Sequence, residues 1–480
     1  MKKAVLYIGI LFVLFSQSCT REYDHTPAKE DRAYAQEWMD LLYGLVTVER
    51  LNPPRASRAY AYSAVALYEG YVHGIPALRS LEDQLNGLTN LPEPDQTKQY
   101  DWISVGSTVI YNVALHLFQN ALPSSIHEIE LLYEENLHAR RETGIGDAVI
   151  NNSVRFGNDI TGALIEWIDA DGYNETRGLA YELPVGPGEW VPTADYGTSL
   201  AINPVTNIVY LYDSLPEPER DLVAAQWFSD RMLDANRPFT ITDHNIAMEP
   251  FWDRLRSFVM DSSSMIPPVP PVEYSEEPGS AFYSEVTAVY ETGKGLTEEH
   301  RLIAHYWADN PGETGTPPGH WIKIMGDLTD DLDLSFDETV EMYALTAVAL
   351  ADAFIACWDA KYKWNLVRPV TFIRRFIDPN WSTVLVTPPF PEYPSGHSVN
   401  SGAAAQMLTR LYGEIPFTDR THVTRFGFAP RTFDSFLEAA EEAAMSRLYG
   451  GIHYPMANRA GVDQGIAIAD TVFNRVITRN

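Results

Sequence analysis

The sequence predicts an all-α protein whose helices fall into two sets on either side of a proline-rich middle, and three observations carry this. From Asp31 to Asp171 apolar residues recur at intervals of three and four, as in Trp38, Leu41, Leu42, Leu45 and Val46, which is the spacing of one helical face. From about 173 to 285 the run of Pro184, Gly186, Pro187, Gly188 and Pro192, and then Pro267, Pro268, Pro270 and Pro271, breaks any long periodicity. A second helical set begins near Thr297 and continues to the end of the chain. With 480 residues, 45% of them hydrophobic, the chain has enough apolar material for a large core.

The elements follow in order. Lys2 and Lys3 precede an apolar stretch from Ala4 to Phe15 that is too short to span a bilayer comfortably, so residues 1–19 read as a signal peptide. Its end, Ser16-Gln-Ser-Cys19, fits lipidation at Cys19 or cleavage at a small-x-small site. The expectation is export, either to the periplasm or an outer-membrane lipoprotein anchor, or else secretion. An N-terminal helical bundle is expected over 30–175, where Pro53-Pro54 opens a helix, Ser125 and Glu128 form a candidate capping box, and Gly172 stops the run ending at Ile168. A Pro/Gly-rich connecting region occupies 176–290 and a C-terminal helical set 291–480. In that last set Ser335-Phe-Asp-Glu338 is a capping box leading into a very apolar helix expected at the centre of its bundle. Beyond the signal segment no stretch offers about 18 uninterrupted apolar residues, so no integral membrane span is expected in the mature chain.

Composition excludes several functions. Sixty-five acidic residues against 35 basic ones give a formal charge of −30, which provides no attraction to nucleic acid. Two cysteines, Cys19 and Cys357, exclude a disulfide framework and a Cys/His zinc cluster, and Cys357 sits in an apolar run as a small buried hydrophobe. The acidic stretch Asp327, Asp330, Asp331, Asp333 and Asp337 lacks EF-hand spacing and reads as a solvated loop and helix start. His116, His127 and His138 lack carboxylate partners in the sequence and read as ordinary helical residues.

The chemistry is concentrated in the last 120 residues. Lys361 and Arg368 are seven apart, nearly one helical face, and two cations placed together call for one anion; Pro369 fits a helix that stops there. Pro394-Ser395-Gly396-His397 reads as a tight turn feeding a helix, whose N-terminal amides, with the Ser395 hydroxyl, can cradle an oxyanion while His397 exchanges a proton. In Ser446-Arg447-Leu-Tyr-Gly-Gly-Ile-His453 the paired glycines let the chain turn so that Arg447 and His453 face one point. Each element alone is more often plain structure. Together, the three supply three cations, a hydroxyl, a backbone donor and two histidines.

At these residues the sequence resembles the vanadium-dependent haloperoxidases, which share their anion site with type 2 phosphatidic acid phosphatases and bacterial acid phosphatases. The family pattern of Lys, six residues, Arg-Pro, then Pro-Ser-Gly-His, then Ser-Arg, five residues, His is complete across 361–453, and it favours Lys361 over Lys363. Weaker likenesses lie in Pro53-Pro-Arg-Ala-Ser-Arg58, Trp190-Val-Pro-Thr193 and Pro317-Pro-Gly-His-Trp321. The resemblance implies two helical bundles with the anion site in the C-terminal one. It implies vanadate as cofactor, covalently held by His453, with oxygens contacted by Lys361, Arg368, Ser395, the Gly396 amide and Arg447; phosphate can occupy the same site. His397 would be the acid–base residue, and the vanadium a Lewis acid that activates hydrogen peroxide toward halide, with a small organic acceptor halogenated afterwards. Trp358 and Phe390 would line a halide pocket, and Phe390 stands where algal bromoperoxidases carry histidine and chloroperoxidases and bacterial iodoperoxidases carry phenylalanine. Many relatives place an aspartate four residues after the last histidine; this chain has Ala457, leaving Asn458 or Asp463 as candidates to orient His453. His320 and Trp321 are candidates to approach the site. The alternatives are an acid phosphatase working through a phosphohistidine at His453, and a non-catalytic surface lipoprotein.

Overall fold

The computed structural model describes residues 27–177, 179, 181–184, 186–191, 200–202, 209–211, 247–261 and 266–480. The predicted signal segment with Cys19, and Pro192-Thr193 of the weaker likeness, lie outside the described residues.

Side-chain caps set several helix starts. Asn52 accepts from the Arg55 amide, Asp101 from Ser104 and Ser280 from Tyr283, opening Pro53–Tyr71, Trp102–Leu117 and Ala281–Lys294. Ser335 and Glu338 form the predicted capping box of the helix Phe336–Trp364. Ser125, by contrast, is not a cap: the helix is Pro123–Glu142, and the Glu49 carboxylate accepts from both the Leu122 amide (2.9 Å) and the Ser125 hydroxyl (2.6 Å). A cap supplied from a distant helix leaves no trace in local sequence.

The helix Phe336–Trp364 is the axis of the molecule. It is long and apolar enough to cross a membrane, yet its apolar stretch is buried inside the protein. It packs against Pro53–Tyr71 of the first helical set and against Gly396–Tyr412 and Pro455–Arg475 of the second, and a continuous buried core runs through both sets. Asp352, buried on this helix, accepts the backbone N–H groups of Phe258, Val259 and Met260 at 2.6, 2.8 and 3.1 Å. That clasp ties the end of the connecting region to the central helix. Burial pushes the Asp352 carboxyl up to about 6.

Three further readings are corrected. The helix does not continue from Lys361 to Arg368: it ends at Trp364, with Asn365 in the left-handed region (φ 41°), and Pro369 starts the next helix, Pro369–Phe376, with Arg368 at its N-cap. Proline suits the first helical turn as well as the residue after a helix, and the sequence did not separate the two. Asp327, Asp330 and Asp331 lie on the helix Thr316–Asp331, and the acidic group is partly neutralised by Arg32, which reaches Asp330 and Asp333, and by Arg420, which reaches Asp331 at 2.8 Å. His116 also has a carboxylate partner, Asp169, at 2.8 Å. Cys357 is buried, as expected.

The helices Gly396–Tyr412 and Pro455–Arg475 approach until their backbones touch. A Cβ on Gly465 would lie 2.1 Å from the Val399 carbonyl oxygen, and one on Gly402 2.6 Å from that of Val462. This contact fixes the Ser395–His397 turn against the segment that follows His453.

Candidate active site

Four chain segments converge at one end of the central helix. Lys361 comes from its last turn, Arg368 from the N-cap of the next helix, Ser395, Gly396 and His397 from the start of Gly396–Tyr412, and Arg447 and His453 from either side of the Gly450-Gly451 turn. Gly451 has φ +77°, the left-handed conformation that this turn requires. Lys361, Arg368, Ser395, Arg447 and His453 are all at most 4% exposed.

The cations are held by backbone carbonyls. Lys361 Nζ donates to the carbonyls of Pro391 and Glu392 at 3.0 Å and to that of Pro394. Arg368 Nε donates to the Phe390 carbonyl (2.9 Å), and its Nη1 to the Ile452 carbonyl (2.9 Å) and to His453 Nε2 (3.1 Å). Arg447 Nη1 donates to the Trp307 carbonyl at 2.8 Å. Arg368 Nη2 and Arg447 Nε are buried and make no hydrogen bond among the described residues. Burial lowers all three, and the Arg368 charge adds to it at Lys361 and Arg447: Lys361 to about 7, Arg447 to about 9, Arg368 to about 10. Three buried cations with donors left over are the complement of an oxyanion.

The histidines have assigned protons. Glu392 Oε1 accepts from His453 Nδ1 and from the Tyr454 amide, both at 2.8 Å, so the neutral ring presents Nε2 as its lone-pair nitrogen. Burial and then Arg368, Lys361 and Arg447 keep His453 well below its ordinary value, hence neutral. His397 Nε2 donates to the Ala308 carbonyl at 3.2 Å, which leaves Nδ1 as its accepting nitrogen; burial and Arg447 hold this ring neutral too. Ser395 Oγ accepts from the Ser398 amide (3.4 Å) and hydroxyl (2.9 Å), so its own O–H is free to donate. The Gly396 amide stands at the first helical position, ahead of the first intrahelical bond.

Glu392 is the residue that sequence reasoning missed. Asp463 is exposed and Asn458, buried, has both side-chain atoms without a hydrogen bond among the described residues, so neither orients His453. Ala457 instead uses its carbonyl, which accepts the Ser395 amide at 3.1 Å. The only sequence signal for Glu392 was an acid three residues before Ser395 on a segment the motif already placed at the site.

Trp358 and Phe390 meet at a ring-centroid distance of 5.1 Å, with Lys361 Nζ 4.9 Å and the Arg368 guanidinium carbon 4.8 Å from the Phe390 ring centre. The predicted pocket aromatics therefore border the cations. Trp358 Nε1 and the Tyr362 hydroxyl both donate to the Met248 carbonyl, at 3.1 and 2.6 Å. Met248 adjoins Glu249, which is gripped by Arg55 and Arg177, while Arg58 pairs with Asp171 at 2.6 Å, so the Pro53–Arg58 likeness is a structural brace. Gly188 and Trp190 bond the backbone at Val367 and Asn365, in the loop between Lys361 and Arg368. His320 does not enter the cradle; it is buried between Asp309 and Asp419, and Asp309, His320 and His422 hold ligand atoms within 4.8 Å of one another. Trp321 donates to Ser401 at 3.0 Å, on the helix behind the turn.

Comparison with known proteins bears on the family and the fold. Residues 341–479 match the VCPO second helical-bundle domain. A vanadium chloroperoxidase from Curvularia inaequalis is 27% identical over 236 residues, which cover 36% of this chain and 37% of that relative, so the matched part spans little more than a third of it. The structure of a bacterial vanadium-dependent iodoperoxidase superposes with a TM-score of 0.77 at 34% identity, covering 94% of this chain and 97% of the other. A bacterial vanadium-dependent chloroperoxidase shares the fold at 16% identity, with a TM-score of 0.60 over 94% of this chain and 96% of its own.

Proposed function

The chain belongs to the vanadium-dependent haloperoxidases, and from that premise we propose that it oxidises halide with hydrogen peroxide, iodide foremost, and so halogenates small organic acceptors. The observation that carries the proposal is the set of buried donors without an anion partner, Arg368 Nη2, Arg447 Nε and the Ser395 hydroxyl, gathered with His453, whose Nε2 lone pair Arg368 Nη1 meets at 3.1 Å. These groups fit vanadate: a nitrogen for the metal, and cations, a hydroxyl and the Gly396 amide for its oxygens. When bound, vanadate supplies a Lewis-acid centre that activates peroxide toward halide without a change of oxidation state.

The chain's own residues do the rest. Glu392 holds the Nδ1 proton of His453, so Nε2 remains the ligating atom. Lys361, Arg368 and Arg447, all buried, neutralise oxyanion charge where each is worth more than at the surface. His397, with Nε2–H fixed on the Ala308 carbonyl, takes the proton of incoming peroxide at Nδ1. Trp358 and Phe390 give the halide an apolar wall beside the cations. Iodide is favoured by the 34% identity to the iodoperoxidase, while phenylalanine rather than histidine at 390 speaks against the bromoperoxidase type. We further propose export through residues 1–19, with a lipid anchor at Cys19, and a functional division at about 175 and 290.

The test uses residues 20–480 loaded with orthovanadate and assayed for iodide, bromide and chloride oxidation by hydrogen peroxide. Activity that requires vanadate, ranks iodide first and vanishes in His453→Ala is expected. Phosphate release from an aryl phosphate by vanadate-free protein, without halide oxidation, would overturn the reading in favour of a phosphatase.

A further inference from the structure

Three consecutive residues join the cradle to a second buried cluster. The Trp307 carbonyl accepts from Arg447 Nη1 (2.8 Å), the Ala308 carbonyl from His397 Nε2 (3.2 Å), and the Asp309 side chain from His320 Nδ1 (2.8 Å). Two backbone carbonyls thus aim one of the anion-facing cations and select the tautomer of the proton-handling histidine. The helix Glu298–Tyr306 ends just before this segment, whose Trp307 and Ala308 amides still bond back to the Ile303 and His305 carbonyls at 3.2 Å, so the helical ladder runs out within it. Asp309 has φ +47°, a conformation that non-glycine residues keep only when their surroundings impose it.

What imposes it is a line of side chains reaching away from the cradle. His320 Nε2 meets Asp419 Oδ2 at 2.7 Å, and Asp419 Oδ1 accepts the Thr421 amide at 2.8 Å. His422 Nε2 stands 3.3 Å from Asp309 Oδ1, and the His320 ring stacks on the Trp307 indole at 4.3 Å. Trp307, Asp309, His320, Asp419 and His422 are all 3% exposed or less. A histidine with a carboxylate on each nitrogen at 2.7–2.8 Å is an imidazolium sharing two protons. A zinc ion seated about 2.0–2.2 Å from both nitrogen and oxygen would hold those atoms farther apart. The cluster is therefore an ion-paired strut.

We propose that His320 is a positioning residue for the anion site: clamped between Asp309 and Asp419, it fixes the Trp307–Asp309 backbone, and through the two carbonyls of that backbone it sets Arg447 and His397. Without the imidazolium, two buried carboxylates lose their counter-charge and the segment is released from the strut. The Gly-His-Trp segment of the sequence thereby acquires a function at one remove from the site.

The inference rests on the anion-site reading and not on halide oxidation, and the experiment keeps the two apart. Orthovanadate affinity of the vanadate-free protein is measured by calorimetry in the parent, His320→Gln and Asp419→Asn, with folding checked by near-ultraviolet dichroism. In parallel the 15N spectrum of the histidines, with His397 assigned from His397→Ala, reports whether that ring is held as the Nε2–H tautomer. His320→Gln, which can bridge one carboxylate only, is expected to bind orthovanadate at least tenfold more weakly and to lose the single-tautomer signal. Asp419→Asn keeps the acceptor and is expected to lie between it and the parent. A folded His320→Gln protein with parental affinity, within twofold, and the parental His397 tautomer overturns the proposal. If His320→Gln does not fold, the same two readouts on Asp419→Asn decide, parental values on both again overturning it. A parent that binds orthovanadate but oxidises no halide sinks the haloperoxidase reading and leaves this one standing.

Discussion

Replacing Glu392 separates two jobs that its Oε1 performs at once. It accepts from His453 Nδ1 and from the Tyr454 amide, each at 2.8 Å, and it lies beside Arg368 and Lys361 in a fully buried site. In Glu392→Ala both donors are left buried without a partner, at a cost of about 1–3 kcal/mol each. The Tyr454 share falls on folding and is read as a lower Tm. The His453 share falls on the cofactor, because a ring free to move its proton to Nε2 cannot ligate, and loss of such a supporting hydrogen bond typically costs about 10–100-fold in affinity. That range corresponds to about 1.4–2.7 kcal/mol. In Glu392→Gln the amide oxygen can still accept, so Tm is expected to stay near the parent while orthovanadate affinity drops about tenfold with the lost charge. Calorimetric titration of vanadate-free protein, paired with thermal unfolding, measures both. If Glu392→Ala binds orthovanadate within twofold of the parent, the assignment of the His453 tautomer to Glu392 is wrong.

Other perturbations test separate parts of the reasoning. Phe390→His puts a polar ring between Lys361 and Arg368 and is expected to raise bromide relative to iodide oxidation in kcat/KM, with vanadate affinity changed less than the halide ranking. Gly461→Ala would place a Cβ 2.7 Å from Ser398 Cβ and 2.9 Å from the Ser395 carbonyl oxygen, so it should displace the Ser395 turn and lower both Tm and orthovanadate affinity. Ser335→Ala removes the cap of the central helix far from the site and is expected to cost about 1 kcal/mol of stability with unchanged affinity. For His320, burial alone would depress its pKa, but Asp309 and Asp419 outweigh it and lift the ring to about 10 from 6.5. A raised value means stability fully present below pH 6.5 and lost as pH climbs through about 10, on the order of 5 kcal/mol at most. The difference in unfolding free energy between parent and His320→Gln should therefore shrink from pH 6.5 to 10; a difference constant over that window would contradict the imidazolium assignment.

The sequence made the cradle legible because its residues sit in three short segments whose spacing is set by local turns: the helix end after Lys361, the Ser395 cap, the Gly450-Gly451 turn. The helix Phe336–Trp364 was equally plain, since a capping box and a long apolar run act locally. What stayed hidden was every partner supplied from elsewhere in the chain. Glu49 caps a helix more than 70 residues away, Asp352 gathers amides from 258–260, and Asp419 closes the strut on His320 across 99 residues. The error at Arg368 is of another kind. Seven-residue spacing puts two cations on one face only if the helix continues, and Asn365 in the left-handed region ends it. Lys361 and Arg368 still converge, because the following loop folds back onto Phe390 and Ile452.

Why the cations survive burial follows from who their partners are. Lys361, Arg368 and Arg447 are fixed mainly by backbone carbonyls, which orient them without cancelling their charge, and the single carboxylate among them, Glu392, is engaged with His453 and Tyr454. Had each cation been paired with its own aspartate, folding would be easier, but an incoming oxyanion would first have to displace a competitor. Carbonyl tethering keeps the field positive and the geometry set, at the expense of lowered pKa values on all three side chains. Compensation is placed one layer out, where Asp309, Asp419 and His320 stabilise the wall without touching the site.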